Sequence, residues 1–142
     1  GSFDALLSQT LGDECSMEVV QAVQADLRER IEVHKETKSD EPLVVSGQEV
    51  RAVLESAGVS EEKLAAFRVK FEEAFGDDAA LSPRNLVDSK KLQLKTPDVV
   101  IHVAPDRGDL VETRTLGGVK YIMVRAEDGV ELNGVDIQID GN

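Results

Sequence analysis

With 142 residues, 41% of them hydrophobic and 31% charged, the chain has the length and balance of one globular domain with an aliphatic core, which excludes a disordered segment. Its 16 basic and 28 acidic residues give a formal net charge of −12, which argues against nucleic acid and anionic membrane as partners, because both bind basic surfaces. The lone cysteine, Cys15, and the lack of a signal peptide or a long apolar run indicate a cytoplasmic protein that does not enter a membrane.

The first half of the chain carries four amphipathic helical patterns, over residues 3–11, 16 to about 35, 46–57 and 60–75. Three of them start at a serine that is placed to accept a backbone N–H as an N-cap: Ser16, Ser46 and Ser60. Glu49 completes a capping box with Ser46. Phe67, Phe71 and Phe75 recur along the fourth pattern and predict a helix face buried in the core.

Two short stretches between these patterns leave alternatives open. Leu43, Val44 and Val45 fit either a brief strand or a hydrophobic staple that packs against the next helix. Residues 85–87 fit either a helical turn or an edge strand.

From Leu92 onward the apolar spacing changes from the helical period to a period of two, which predicts β-strands. Residues 99–104 are apolar on both sides, so we expect a core strand covered on both faces. Residues 110–116 alternate as a half-exposed strand, which we expect to return along residues 99–104 as a β-hairpin. Three dipeptides mark the turns of further strands: Gly117-Gly118, Asp128-Gly129 and Asn133-Gly134.

Helical patterns followed by strands predict the α+β class, with about four N-terminal helices, then an antiparallel β-meander, and the helices packed on one face of the sheet. We expect a single domain over residues 3–142, mainly helical over residues 3–91 and β over residues 92–142. The alternative is two loosely coupled units divided at about residue 91. Gly1-Ser2 in place of an initiator methionine resembles the scar of a cleaved tag, so we expect the chain to be part of a longer protein.

No residue pattern in the sequence predicts catalysis or metal binding. There is no G-x-S-x-G elbow, no Gly-rich phosphate loop and no close pair of cysteines or histidines, so we predict no catalytic residue, no metal and no cofactor. His102 stands among valines and isoleucines in the expected core strand, where a hydrogen-bonded structural role is favoured over catalysis.

The surface that we predict to bind a partner lies at the tip and return strand of the expected hairpin. It comprises His102, Asp106, Arg107, Asp109, Glu112 and Arg114. The Arg107-Gly108-Asp109 tripeptide is the cell-adhesion sequence, but all three residue types are common in turns, and we interpret them as structural. The charges of Glu112 and Arg114 either keep a sheet edge from unwanted pairing or form a partner-recognition edge.

Four stretches of the sequence resemble one bacterial family. They are "LGDEC" at Leu11 to Cys15, "EPLVV" at Glu41 to Val45, "KTPDVVIHV" at Lys95 to Val103 and "DLVETR" at Asp109 to Arg114. Together they resemble the C-terminal region of proteins grouped as domain of unknown function 4317, and the last two stretches are the most specific part. The resemblance implies a bacterial cytoplasmic protein with further sequence upstream, but no activity and no functional residue.

These observations predict a non-catalytic protein-interaction or structural module at the C-terminus of a larger cytoplasmic protein. Its partner would be another protein or the upstream domain of the same chain. The alternative is an accessory domain of an enzyme whose active site lies mostly upstream, with His102 and residues 106–114 as the local contribution. Lys90, Lys91 and Lys95 are the sole support for nucleic-acid binding, so we predict no nucleic-acid partner.

Overall fold

The computed structural model describes residues 2–77, 79–88 and 90–140. The chain divides into two compact units, Gly1–Pro105 and Asp106–Asn142, each with its own internal packing. The boundary between the units follows Pro105, although the apolar period changes earlier, after Lys91. The two boundaries differ because the strands over residues 92–103 belong to the first unit.

Five α-helices lie within the described part of the first unit. They are α1 (Ser2–Leu11), α2 (Met17–Thr37), α3 (Gly47–Ser56), α4 (Glu61–Phe75) and α5 (Pro83–Leu86), with a 3₁₀ turn at Gly12–Glu14. The four predicted helices are confirmed, and α5 is a fifth. Because α5 includes residues 85 and 86, the helical turn is the alternative that the structure shows for this stretch. None of the helices in these ranges combines the length and the apolar surface needed to cross a membrane.

The predicted serine caps explain where three of the helices begin. Ser16 accepts a first-turn N–H of α2 at 3.2 Å, and Ser60 accepts one of α4 at 3.4 Å. At α3 the Glu49 N–H donates to the Ser46 hydroxyl at 3.1 Å, and the Ser46 N–H donates to the Glu49 carboxylate at 3.0 Å, which completes the capping box. Each bond satisfies a backbone donor that the first helical turn leaves without a partner inside the helix.

The core of the first unit is built by helices that pack on helices. Its most deeply buried side chains include Leu11 of α1, Leu27 of α2, Leu54 of α3 and Phe67 of α4. The Phe67 and Phe71 rings lie 5.6 Å apart between centroids in a tilted arrangement, which is favourable for aromatic pairs. The phenylalanine stripe therefore lies in the core, as predicted.

The described strands form four small antiparallel pairs. The pairs are β1 (Val45–Ser46) with β2 (Ala80–Leu81), β3 (Leu92–Lys95) with β4 (Val100–Val103), β5 (Val111–Leu116) with β6 (Val119–Val124), and β7 (Val130–Leu132) with β8 (Val135–Ile137). The α+β class is confirmed, but the continuous meander beneath a layer of helices is wrong, because each described sheet has two strands. Of the two alternatives for residues 43–45, the structure shows the brief strand, which begins at the buried Val45.

The expected hairpin between residues 99–104 and 110–116 is wrong. β4 pairs back with β3 across a tight turn in which the Thr96 N–H donates to the Val99 carbonyl at 2.9 Å. β5 pairs forward with β6 across Gly117-Gly118, where φ is +56° and +80°, as a two-residue hairpin turn requires. A 3₁₀ turn at Gly108–Leu110 separates β4 from β5, so the nearest turns decide the pairing of both strands.

The expectation that residues 99–104 form a core strand covered on both faces is also wrong. Val100 is 48% exposed and His102 is exposed, whereas Ile101 and Val103 are half-buried. Alternate residues of β4, Val100 and His102, therefore face solvent.

Candidate functional site

The register of β5 and β6 decides which side chains share a face of that sheet. Residues directly opposite one another in an antiparallel pair point to the same side, and so do alternate residues along each strand. The opposed pairs on one side are Glu112 with Met123, Arg114 with Tyr121, and Leu116 with Val119. These six residues form a continuous surface, here called the β5–β6 face.

The β5–β6 face exposes four large apolar side chains next to one another. Leu116 and Val119 are each 52% exposed, Tyr121 is 46% exposed and Met123 is 38% exposed. Single exposed apolar residues are ordinary on protein surfaces, whereas a contiguous set on one face is typical of a surface that another molecule covers. Tyrosine and methionine are also enriched in protein–protein interfaces.

Glu112 and Arg114 add one opposite-charge pair to this apolar surface. The Arg114 Nη2 lies 3.2 Å from the Glu112 Oε1, and both side chains are exposed. A pair this exposed contributes little to folding stability. It does leave the β5–β6 face electrically neutral on a chain whose formal net charge is −12.

The opposite side of the same sheet is buried only at the start of β5. Val111 is buried and Ile122 is half-buried there, while Val124 is exposed at the end of β6. The two sides of the β5–β6 sheet therefore differ in part: one covers Val111 fully and Ile122 by half, and the other is exposed along its whole length.

The turn before β5 is held by a cluster around the Asp109 carboxylate. Arg107 donates to it through Nε at 3.0 Å and Nη2 at 3.2 Å, and Arg125 donates through Nη2 at 3.0 Å. Arg107 holds the pKa of Asp109 below its ordinary value, and Asp109 raises the pKa of Arg107. The Arg125 N–H also donates to the Leu110 carbonyl at 2.8 Å, so this cluster ties the turn to the end of β6.

This cluster gives the Arg-Gly-Asp tripeptide a local structural use. The charged groups of Arg107 and Asp109 bond to each other and so do not project apart toward a receptor. Asp106 is exposed in the same turn.

His102 lies on β4 of the first unit, directly opposite Gln93 of β3, and is exposed. Of the six predicted binding residues, the structure brings Glu112 and Arg114 onto the β5–β6 face, and it places Asp106, Arg107 and Asp109 in the preceding turn. His102 is not part of either group.

The sequence prediction missed the four apolar residues of the β5–β6 face. The alternation of Val119, Tyr121 and Met123 is visible in the sequence, but assigning it to the same side as Glu112 and Arg114 requires the strand register. The Gly117-Gly118 turn carries that signal, because a two-residue hairpin fixes which residues lie opposite one another.

A second candidate is a cavity of about 340 Å³ in the first unit, at the start of α3. Phe67 and Phe71 contribute apolar lining, and Arg51 and Arg68 contribute positive charge. Two acidic side chains, Glu72 and Asp77, line the same cavity, so its charged lining is balanced. Arg51 has a buried Nε without a hydrogen-bond partner, but its side chain is 37% exposed and its Nη2 lies 4.0 Å from the Glu61 carboxylate.

Metal binding finds no support in the described ranges. Among the residues of 2–77, 79–88 and 90–140, no group of three or more histidine, cysteine, aspartate or glutamate side chains could hold a metal ion.

The fold and the β5–β6 face define a mixed α+β protein, with one unit built largely of packed helices and another of β-hairpins that expose an apolar strand face. The chain belongs to the family described as Domain of unknown function (DUF4317), whose model matches residues 1–135. The resemblance drawn from the four sequence stretches is thereby confirmed. No curated protein and no solved structure matches the chain.

Proposed function

We propose that this chain is a non-catalytic protein-interaction module that binds its partner through the β5–β6 face. The observation that supports this most directly is the contiguous set of exposed apolar side chains on that face: Leu116, Val119, Tyr121 and Met123. Tyr121 lies in the middle of its strand, opposite Arg114, where an interface places its most strongly contributing residues.

The free energy available from covering the four apolar side chains is consistent with a binding surface. Full burial of a large apolar side chain stabilises by about 1.5–3 kcal/mol, and these four are already about half covered. Covering the rest gains roughly 1 kcal/mol from each before the cost of association is subtracted. The face therefore supports a specific complex only if the partner contacts most of it at once.

The two-stranded architecture adds a second reason to expect a partner. A hairpin of two strands is marginal on its own in water and gains stability when another layer covers its apolar side. Val111 is buried on one side of the β5–β6 sheet, and Tyr121 is exposed on the other. A partner on the open side would cover the apolar side chains of the β5–β6 face.

We place this activity in the bacterial cytoplasm. The family resemblance supports the bacterial origin, and a sequence with a single cysteine, which has no intrachain disulfide to form, is consistent with a reducing compartment. Cys15 is a free thiol, and its partial burial raises the pKa of that thiol, as expected for a small apolar residue that packs against the core.

Affinity purification from the native host tests the proposal. The full chain carries a tag and is compared with the double variant Tyr121→Ser/Met123→Ser, which removes apolar surface from the β5–β6 face. The matched control is Val33→Ser/Val69→Ser, because these two valines are similarly exposed but lie on α2 and α4.

The expected result is a defined set of proteins that co-purifies with the wild type and the control and is lost with the face variant. Recovery of the same proteins with all three chains would contradict the proposal. Circular dichroism of each variant shows that the comparison is made between folded proteins.

A further inference from the structure

We propose that the partner on the β5–β6 face is a second copy of this chain, so that the protein forms a symmetric dimer through it. This inference rests on the proposed interaction function and names the partner.

The charge distribution permits self-association at this face. Each chain has a formal net charge of −12, so two copies repel one another overall. The β5–β6 face carries one acid, Glu112, and one base, Arg114, and is neutral. Two copies can therefore approach through this surface without adding like charges, and screening by physiological salt weakens the remaining repulsion.

The spacing of the charges makes the face complementary to itself. In a twofold interface the same surface lies on both sides, so each residue must fit what the symmetry places against it. A twofold axis that crosses the strands at the level of Thr113 and Ile122 places position 112 of one copy over position 114 of the other. Each Glu112 then faces an Arg114, and both charges meet an opposite partner across the interface.

The same axis also matches the apolar residues. It places Tyr121 of one copy over Met123 of the other, because these two positions are directly opposite Arg114 and Glu112 in the register. Contacts between a methionine sulfur and an aromatic ring are favourable. Leu116 and Val119 lie three positions from the axis, which places them over positions 110 and 125 of the other copy, outside these matched pairs.

Two charge variants test the inference in the full chain. Glu112→Arg gives each face two bases, and Arg114→Glu gives each face two acids, so each variant alone should associate at least tenfold more weakly than the wild type. An equimolar mixture of the two variants should associate again, because a face with two bases meets a face with two acids. Sedimentation velocity over a concentration series measures association, and different fluorescent labels on the two variants show whether the recovered species contains both.

The mixture is the decisive measurement, since an ion pair within one chain cannot be restored by adding a second variant. A wild-type chain that stays monomeric up to ~1 mM would overturn the inference, as would a mixture that associates no better than either variant alone. The wild type could be monomeric while the Tyr121→Ser/Met123→Ser variant still fails to co-purify the host proteins that the wild type binds. That result would mean that a different partner binds the same face. In that case the proposed function stands and the dimer does not.

Discussion

Ser60 donates both its backbone N–H and its hydroxyl to the carboxylate of Glu14, at 2.8 Å and 2.7 Å. Glu14 closes the 3₁₀ turn after α1, and Ser60 is the N-cap of α4. One carboxylate therefore links the first helix to the start of the fourth, whose cap also accepts a bond from its own first turn. The two bonds from Ser60 are the main reason that the pKa of Glu14 lies below its ordinary value.

We predict that Glu14→Gln removes stability in a pH-dependent way. The pKa of Glu14 is lowered in the folded state from its ordinary 4.5, so as the pH falls the unfolded chain takes up the proton first. The stabilisation is therefore fully present above about pH 4.5 and is lost as the pH falls through the lower folded value. In urea unfolding, the free energies of unfolding of the wild type and the variant should differ at neutral pH and become equal in acid. Equal midpoints at neutral pH would contradict this interpretation.

We predict that Gly47→Ala destabilises the first unit, although alanine is the better helix former. A Cβ at position 47 would lie 2.7 Å from two ring carbons of Phe71, a buried side chain. Overpacking of this kind costs about 1–3 kcal/mol. Guanidinium unfolding measures the loss. Gln48→Ala, at the exposed neighbouring position, serves as the control and should change stability by less than ~0.5 kcal/mol.

The same contact allows a stricter test by a double-mutant cycle. Phe71→Leu removes the ring that the new Cβ would meet, so Gly47→Ala should cost less in that background than in the wild type. An unchanged cost would show that the glycine is needed for some other reason.

We predict that Phe67→Ala is among the most damaging single changes in the chain. Phe67 is fully buried and packs against Phe71, so truncation leaves a cavity in the middle of the core. The expected loss is about 3–5 kcal/mol in the free energy of unfolding. Val69→Ala, on the exposed side of the same helix, should cost far less. Thermal and denaturant unfolding compare the two variants. Similar losses of stability would contradict the assignment of Phe67 to the buried face of α4 and Val69 to the exposed face.

We predict that Gly118→Val weakens the β5–β6 hairpin and Gly117→Asn does not. Gly118 has φ of +80°, a conformation that costs a β-branched residue roughly 1–2 kcal/mol or more. Asparagine tolerates the +56° of Gly117 and is common at the first position of such turns. Hydrogen exchange of the β5 and β6 amides should be faster in the valine variant. Equal protection in both variants would show that the turn does not limit the stability of this hairpin.

The sequence predicts the helical half of the fold well because local chemistry decides it. Ser16, Ser46 and Ser60 each cap the helix that follows, and the bonds they make are within a few residues. The buried stripe at Phe67 and Phe71 follows from helical spacing alone.

Strand pairing was predicted less well because it depends on turn geometry as well as apolar pattern. The valines and isoleucine of β4 suggested a central strand, but the turn at Thr96–Val99 pairs β4 with β3, and the glycines after Leu116 pair β5 with β6. The predicted binding surface includes Glu112 and Arg114 because their charges are visible in the sequence. Their apolar neighbours on β6 could be assigned only once the register was known.

The way the strands pair also has a consequence for the order of folding. β3–β4, β5–β6 and β7–β8 each join strands that are adjacent in sequence, and hairpins of this kind close within about 1–10 μs. β1 and β2 instead bracket α3 and α4, so their pairing closes a long loop and carries a larger entropic cost. The Val45–Leu81 pair should therefore form late, after α3 and α4 have docked, and substitutions there should mainly accelerate unfolding.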